Sequence, residues 1–225
     1  QGLNGWLWGL ITLDSMKYNI PAGSSYTRTE MIKKILSFQL PDDGFNLRFA
    51  QGSTADPDIT AMAIQALAPY YRNATFNVKD PVDKALDCLS KLQLDTGDFR
   101  SWGTRNSESV SQIIVSLCSI GVDPQNDSRF IKNGINLLDA LFYYQQEDGG
   151  FAHSYESDPG NPSAIPGESN SIATDQALLA LVAVWRQAQG MSILYDFRPG
   201  SVSAKILTPE ESEVSFAGSY EFTEA

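Results

Sequence analysis

Two carboxylates, Asp56 and Asp58, are the side chains in this sequence best placed to do chemistry, within a segment from Asp56 to Ala61 that reads DPDITA. A carboxyl group buried beside a second acid has a raised pKa, and it can then deliver a proton as a general acid near neutral pH. Asp58 also stands where a helix beginning at Ile59 needs an N-cap, a role that aspartate fills without catalysis. The sequence favours the capping role and leaves acid catalysis by the pair as the alternative.

The sequence has few of the histidine and cysteine residues that metal sites and thiol chemistry require. The chain has one histidine, His153, which we expect to be a solvated loop residue. Its two cysteines, Cys88 and Cys118, fall within apolar helical patterns and form no Cys-x-x-Cys pair. A redox motif and a zinc knuckle are therefore disfavoured, and two buried free thiols are expected. We predict no metal site.

The composition favours one large domain with a single core. The chain has 225 residues, of which 42% are apolar. Its 16 basic and 27 acidic residues give a formal charge of −11, and no basic cluster is present. Since such a surface repels phosphate backbones, we expect no nucleic-acid partner. No apolar run reaches the roughly 18 residues of a spanning helix, so no transmembrane segment is predicted.

A phrase of eleven residues occurs three times in the chain. The copies read ILSFQLPDDGF from Ile35 to Phe45, LSKLQLDTGDF from Leu89 to Phe99 and LFYYQQEDGGF from Leu141 to Phe151. They share an aliphatic start, a glutamine at the fifth position and a closing phenylalanine, and they lie about 50 residues apart. A fixed period of this length indicates a repeat architecture.

Each repeat predicts an outer helix followed by an inner helix. Apolar residues in the segment after each phrase fall at the i, i+3, i+4, i+7, i+8 positions of a helix, as at Ile59, Met62, Ala63, Ala66 and Leu67. The helices that lead into the phrases keep Lys and Asp on one face, which is typical of an outer position. The segment from Ala177 to Trp185 is apolar almost all round, so we expect an inner helix covered on every side. We count about seven helices and no convincing strand before Tyr195.

The three phrases resemble the repeat of the prenyltransferase and squalene cyclase superfamily, whose helix pairs form an α/α toroid. The run from Arg105 to Ser154, followed by ATDQALLALVAVWR, looks closer still to the toroid domain of secreted or cell-surface proteins of Gram-positive bacteria. That group is similar to the helical domain of the cobalamin carriers transcobalamin and intrinsic factor. The resemblance implies an all-α fold, with an incomplete or partial toroid over residues 1–197. Residues 198–225 are expected to form a tail or linker, with a short β-hairpin as the alternative.

The activities known for this superfamily fit the chain only in part. Its prenyltransferases hold zinc with Asp, Cys and His, and that ligand set is lacking here. Complement-like thioester domains need Cys-Gly-Glu-Gln, which is absent. Protonating terpene cyclases use Asp-x-Asp-Asp-Thr-Ala, of which the chain keeps Asp56, Asp58, Thr60 and Ala61 but has Ile59 in place of the third acid. A cyclase-like enzyme that uses Asp56 and Asp58 therefore stays the alternative function.

The starts of the inner helices are predicted to meet at one mouth of the toroid cavity. A concave apolar site with a few converging polar groups is the default place for a ligand. The predicted ligand-binding residues are Trp6, Asp58, Thr60, Trp102, Glu108, Tyr155, Asn170 and Thr174. We expect the closing phenylalanines to be core residues. The predicted function is a non-enzymatic extracellular or cell-surface domain for binding or adhesion, whose partner is a small molecule or surface ligand. The resemblance suggests a corrinoid such as cobalamin, and no other cofactor is predicted.

Overall fold

The computed structural model describes residues 2–47, 49–50, 52–198, 215–216 and 220–221. In these ranges the chain forms seven α-helices: α1 Leu3–Ser15, α2 Arg28–Leu36, α3 Pro57–Leu67, α4 Lys79–Leu92, α5 Ser107–Ile120, α6 Leu137–Phe142 and α7 Ser171–Ala188. Three 3₁₀ turns lie between them, at Ala68–Tyr70, Ala74–Phe76 and Ser128–Phe130. The short strands are β1 Phe99–Ser101, β2 Thr104–Asn106, β3 Ser215–Phe216 and β4 Tyr220–Glu221.

The helices form two layers of a partial ring. The inner layer is the row α1, α3, α5 and α7, in which α3 packs between α1 and α5, and α5 packs between α3 and α7. The outer helices α2, α4 and α6 pack on α1, α3 and α5 respectively. The all-α toroid with an incomplete ring, which the repeat predicts, is therefore confirmed. Within the described ranges, no helix combines the length and the apolar character needed to cross a membrane.

The three copies of the repeat phrase form the same turn. In each copy a backbone N–H donates to the carbonyl oxygen four residues later: Leu40 to Gly44 at 2.9 Å, Leu94 to Asp98 at 2.9 Å, and Gln146 to Gly150 at 2.8 Å. The residue before the acceptor has a positive φ in each copy, 70° at Asp43, 82° at Gly97 and 85° at Gly149. Glycine adopts this conformation at no steric cost, which explains why two copies carry it there.

In the first two copies the shared glutamine joins the turn to the next repeat. The Gln39 side-chain amide donates to the Asp43 carbonyl oxygen at 2.7 Å and to that of Pro81, in α4, at 2.9 Å. The Gln93 amide donates likewise to Gly97 at 2.8 Å and to Phe130 at 3.0 Å. The closing phenylalanines are core residues, as expected, with exposed fractions of 1% for Phe45, 0% for Phe99 and 4% for Phe151.

Two expectations about the elements are wrong. A hairpin of β1 and β2 connects α4 to α5, although no strand was expected before Tyr195; its turn is made by Trp102 and Gly103, both with positive φ. The inner helix α7 packs closely on α5 but is not covered on every side. Its apolar residues Ile172 and Leu178 are each 58% exposed.

After α7 the chain returns to α1 through residues 191–198, which we call the return segment. The Phe197 N–H donates to the Ser15 carbonyl oxygen at 2.8 Å. The Tyr195 ring meets the Trp8 ring edge-on, with 5.8 Å between the ring centroids. The buried Arg186 side chain donates to the Ser192 carbonyl oxygen and hydroxyl. The return segment therefore joins the last inner helix to the first.

The predicted tail, residues 198–225, lies mostly outside the described residues. Within it β3 pairs with β4 in antiparallel register, Ser215 opposite Glu221 and Phe216 opposite Tyr220. The boundary at residue 197 stays a prediction.

Candidate functional site

The residue that caps α3 is Asp56, so the prediction that Asp58 is the cap is wrong. The Asp56 carboxylate accepts the Ile59 N–H at 3.1 Å with one oxygen and the Ser101 hydroxyl at 2.7 Å with the other. The helix begins at Pro57, because proline has a fixed φ suited to the first helical position. Asp56 is thus fully engaged in structure.

Asp58 is left in the first turn of α3 with an unusual environment. Although the residue as a whole is partly exposed, its oxygen Oδ1 is buried and accepts no hydrogen bond from the described residues. Burial, followed by the negative charges of Asp56 and Glu108, raises its pKa to about 7 against the opposing effect of the Ser109 and Ser101 hydroxyls. Those two hydroxyls donate instead to Asn106 and Asp56. Asp58 can therefore hold a proton near neutral pH, as the acid alternative requires.

Glu108 and His153 form a buried ion pair beside this group. The His153 Nδ1 lies 2.8 Å from Glu108 Oε1, and its Nε2 lies 3.0 Å from Asp158 Oδ2. Burial disfavours the charged imidazolium, but the hydrogen bonds and charges of the two carboxylates outweigh it and raise the pKa of His153. The expectation of a solvated histidine is wrong, because the turn before it carries residues 151–154 inward, where the Ser107 N–H donates to the His153 carbonyl oxygen at 3.0 Å.

Thr60 and Thr174 have equivalent structural roles. The Thr60 hydroxyl oxygen accepts the Phe45 N–H at 2.9 Å, and the Thr174 hydroxyl oxygen accepts the Phe151 N–H at 2.9 Å. Each threonine thereby joins an inner helix to the turn that precedes it. Asn170 is the N-cap of α7 and accepts the Ile172 N–H at 3.0 Å.

The predicted aromatic residues lie in a hairpin turn and in contacts with other aromatic rings. Trp102 is 60% exposed in the turn of the β1–β2 hairpin. Tyr155 stacks on Tyr144 with 5.8 Å between the centroids, and Trp6 meets Tyr26 edge-on at 4.7 Å. The structure thus groups Asp58 with Glu108, while the other predicted residues serve caps, turns and aromatic packing. Ligand binding by these eight residues stays a prediction.

A cleft of about 880 Å³ lies at the opposite end of the inner helices, where α1, α3, α5 and α7 end. The return segment forms one wall through Met191 to Asp196. Apolar side chains from all four inner helices contribute to the lining: Ile11, Ala66, Ile120 and Ala183. The sequence pattern predicts a ligand at the starts of these helices and gives no sign of this cleft, because the return segment shows no periodic pattern.

Polar groups at one side of the cleft are paired with one another. The Arg28 guanidinium donates to Asp14 Oδ1 at 2.6 Å, and the Tyr70 hydroxyl donates to Asp14 Oδ2 at 2.6 Å. Burial, together with the hydrogen bond to Asp14, raises the pKa of Tyr70. The arrangement fixes the ends of α1 and α3 relative to each other.

The cysteines are buried free thiols, as expected. Burial raises the pKa of Cys88 to about 11 and that of Cys118 to about 12. Neither is therefore a reactive thiolate at neutral pH. In the part of the chain that the structure describes, no three His, Cys, Asp or Glu side chains are placed to hold a metal ion.

Outer–inner helix hairpins in a ring, joined by one recurring turn, place this protein among the α/α toroid domains. Residues 37–193 match the family model of the squalene-hopene cyclase C-terminal domain, and the chain belongs to this family. The match runs from the first repeat phrase into the return segment. No match was found among curated proteins.

Proposed function

We propose that this domain binds a small molecule in the cleft at the ends of the inner helices. The observation that carries the proposal is the cleft itself, since its volume of about 880 Å³ lies within the range of ligand pockets, roughly 300 to 1,000 Å³. Four inner helices and the return segment contribute walls, which keeps the cavity open in the folded state. The starts of the helices support binding less well, because Asp56, Glu108 and His153 already have partners there.

A fluorescence titration with Nile red, an uncharged apolar dye, tests this function. Saturable binding at micromolar concentration is expected. Ala68→Trp should abolish it, because Ala68 lines the cleft at the start of a 3₁₀ turn. Ala74→Trp is the matched control: Ala74 also starts a 3₁₀ turn, is exposed, and is not among the lining residues. No saturable binding by the wild type, or equal binding by both variants, would contradict the proposal.

Two finer points of the proposal come from the resemblance in sequence. The first is that the domain acts outside the cell or at its surface, which labelling of intact cells with an antibody against the domain would test. The second is that the ligand is a corrinoid. Calorimetric titration with cyanocobalamin decides this, because no heat of binding at micromolar protein would exclude the corrinoid while leaving the Nile red result in place.

A second candidate function is proton delivery to an alkene by Asp58. Its support is the buried oxygen without a partner and the pKa of about 7. Asp58 would transfer its proton to one carbon of a polyprenyl double bond, and the next double bond would attack the resulting carbocation and close a ring. The final cation would lose a proton to water, and the Asp58 carboxylate would regain a proton from water. Incubation with squalene, followed by mass spectrometry of the products, tests it. Cyclised product that disappears in Asp58→Asn supports the enzyme, and absence of product from the wild type rules out this substrate class.

A further inference from the structure

Arg72 is an unpaired cation in the cleft wall. The other two arginines that line the cleft have carboxylate partners, Arg28 with Asp14 and Arg198 with Asp196. Arg72 makes no hydrogen bond and no ion pair with any described residue of this chain. Guanidinium groups carry five N–H donors in a fixed planar fork, which matches a carboxylate or a phosphate. An exposed guanidinium with all of its donors unused can therefore engage an anion without first breaking an internal contact.

The position of the Arg72 guanidinium is defined by its surroundings. Its Nη2 atom lies 3.0 Å from where a Cβ on Gly121 would stand, so it rests against the residue that ends α5. The two preceding residues are both anchored, because the Tyr70 hydroxyl donates to Asp14 and the Tyr71 hydroxyl donates to Asp83, each at 2.6 Å. Anchoring of the backbone just before Arg72 lowers the entropy lost when a ligand binds.

The remainder of the lining is suited to an apolar body. Apolar side chains reach the cleft from the inner helices, from a 3₁₀ turn and from the return segment, among them Ile11, Phe76, Ile120, Ile193 and Leu194. Lys17 is another basic residue of the lining that has no ion pair with the described residues, but its ammonium group lacks the planar fork of donors that Arg72 presents. One charged group and a much larger apolar area are what an amphipathic ligand would need.

We infer that the cleft takes an amphipathic anion, whose carboxylate or phosphate binds Arg72 and whose apolar body lies along the inner-helix ends. This inference rests on the proposed binding function of the cleft. It names the chemical class of the ligand and assigns Arg72 as the residue that selects it. The contact would be a bidentate charge-assisted pair of N–H···O hydrogen bonds.

The test compares three ligands with the same twelve-carbon chain: dodecanoate, dodecyl phosphate and dodecanol. The affinity of each ligand is measured by its displacement of Nile red from the protein, at ligand concentrations too low to form micelles. We expect at least one anion to bind about tenfold or more tightly than the alcohol, because a hydrogen bond to a charged group increases affinity by about this factor. The two anions distinguish a carboxylate ligand from a phosphate ligand, and preference for either supports the inference.

Variants then assign the preference to Arg72. Arg72→Gln should bring the anions within about twofold of the alcohol, and Arg72→Lys should restore part of the difference because it keeps the charge. Lys91→Gln is the control, since it removes the same charge from an exposed residue outside the lining. Because Arg72 has no internal partner, its substitution should leave the midpoint of urea unfolding unchanged.

The failures are distinguishable. Equal affinity for the alcohol and both anions would overturn the inference while leaving the cleft as a binding site. An anion preference that persists in Arg72→Gln would overturn the assignment to Arg72. If neither Nile red nor any of the three ligands binds the wild type, the proposed function itself is wrong.

Discussion

The environment of Asp58 lowers the free energy of unfolding when this carboxyl group is ionised in the unfolded chain. A buried carboxyl oxygen without a hydrogen-bond donor favours the protonated form, and two neighbouring carboxylates favour it further. Below about pH 4 the group is protonated in both the folded and the unfolded chain, so it costs nothing. As the pH rises from about 4 to about 7 the unfolded chain loses this proton while the folded chain keeps it. Stability from this group therefore falls across that window.

Asp58→Asn should raise the free energy of unfolding at pH 7.5 and remove this part of the pH dependence. Each pH unit in which only the unfolded wild type ionises at this position costs about 1.4 kcal/mol. Urea unfolding at pH 4.5, 6.0 and 7.5 measures the effect. A variant that is less stable than the wild type at pH 7.5 would show that Asp58 is ionised and stabilising.

Asp56 has the opposite role, although it lies only two residues away. Asp56→Ala loses the N-cap of α3 and leaves the buried Ser101 hydroxyl without its acceptor, so a loss of about 2 kcal/mol is expected. Asp56→Asn keeps the capping oxygen and should lose less. The comparison is made by urea unfolding at pH 7.5, and a neutral Asp56→Ala would contradict the assignment of the cap.

His153 links the start of α5 to the loop that carries Asp158. Since its pKa is raised above 6.5, its ion pairs stabilise the fold fully below about that pH, and this contribution is lost as the pH rises through the raised value. His153→Gln should cost roughly 3 kcal/mol at pH 6 and less at pH 9. Glu156→Gln provides the comparison, because it breaks an exposed pair with Arg100 that is worth less than about 1 kcal/mol. Equal losses in the two variants, measured by urea unfolding, would contradict the buried ion pair.

At the scale of the element, the recurring turn uses the same backbone in different surroundings. A Cβ added to Gly97 would lie 2.8 Å from Ile135 Cγ2, whereas one added to Gly149 would meet nothing within 4 Å. The φ angles of the two glycines differ by only a few degrees. The pair therefore separates the cost of backbone strain from the cost of crowding.

Gly149→Ala should cost about 1 kcal/mol, because alanine is strained at positive φ. Gly97→Ala should cost roughly 1 to 3 kcal/mol more, since the new methyl group also crowds Ile135 and Ala140, the latter in α6. Thermal unfolding of both variants at one pH measures the difference. Equal losses would show that Ile135 moves aside freely.

The repeating helices and turns could be predicted from the sequence, but the residues at which the elements begin could not. Seven helices, buried phenylalanines and a common turn follow from periodicity and from the recurring Gln and Phe, because the same residue types occupy the same positions in three copies. The start of α3 was missed by two residues, since Asp56 and Asp58 are the same residue type and either can fill the cap. The β1–β2 hairpin was missed because each strand has only three residues.

The environment of individual side chains was the least predictable part. His153 appears in the sequence as an isolated polar residue after a turn, and only the fold brings Glu108 and Asp158 to it. Asp58 was identified in the sequence as a residue whose pKa could rise, and its pKa is raised, but its assignment as the N-cap of α3 was wrong because Asp56 is the cap. Residue type indicates which chemistry is available, whereas burial, which decides the pKa, comes from packing between repeats.

At the scale of the whole molecule, the two ends of the inner helices have different characters. Their starts carry buried carboxylates, a histidine and hydroxyls that largely satisfy one another, apart from Asp58. Their ends surround a cleft whose lining is mostly apolar and includes one unpaired guanidinium. This difference arises because caps and turns concentrate at the starts. At the other mouth, the chain from the end of α3 to the start of α4 and the return segment line the cleft without filling it.

The return segment makes one wall of the cleft depend on a contact between residues that are distant in the chain. The amide of Phe197 is protected by the carbonyl oxygen of Ser15, so both should become accessible to solvent in a single opening event. A molecule held in the cleft contacts both sides of that junction. Deuterium uptake at residues 194–198 and at the end of α1 should therefore slow together on ligand binding, while uptake at the β1–β2 hairpin stays unchanged.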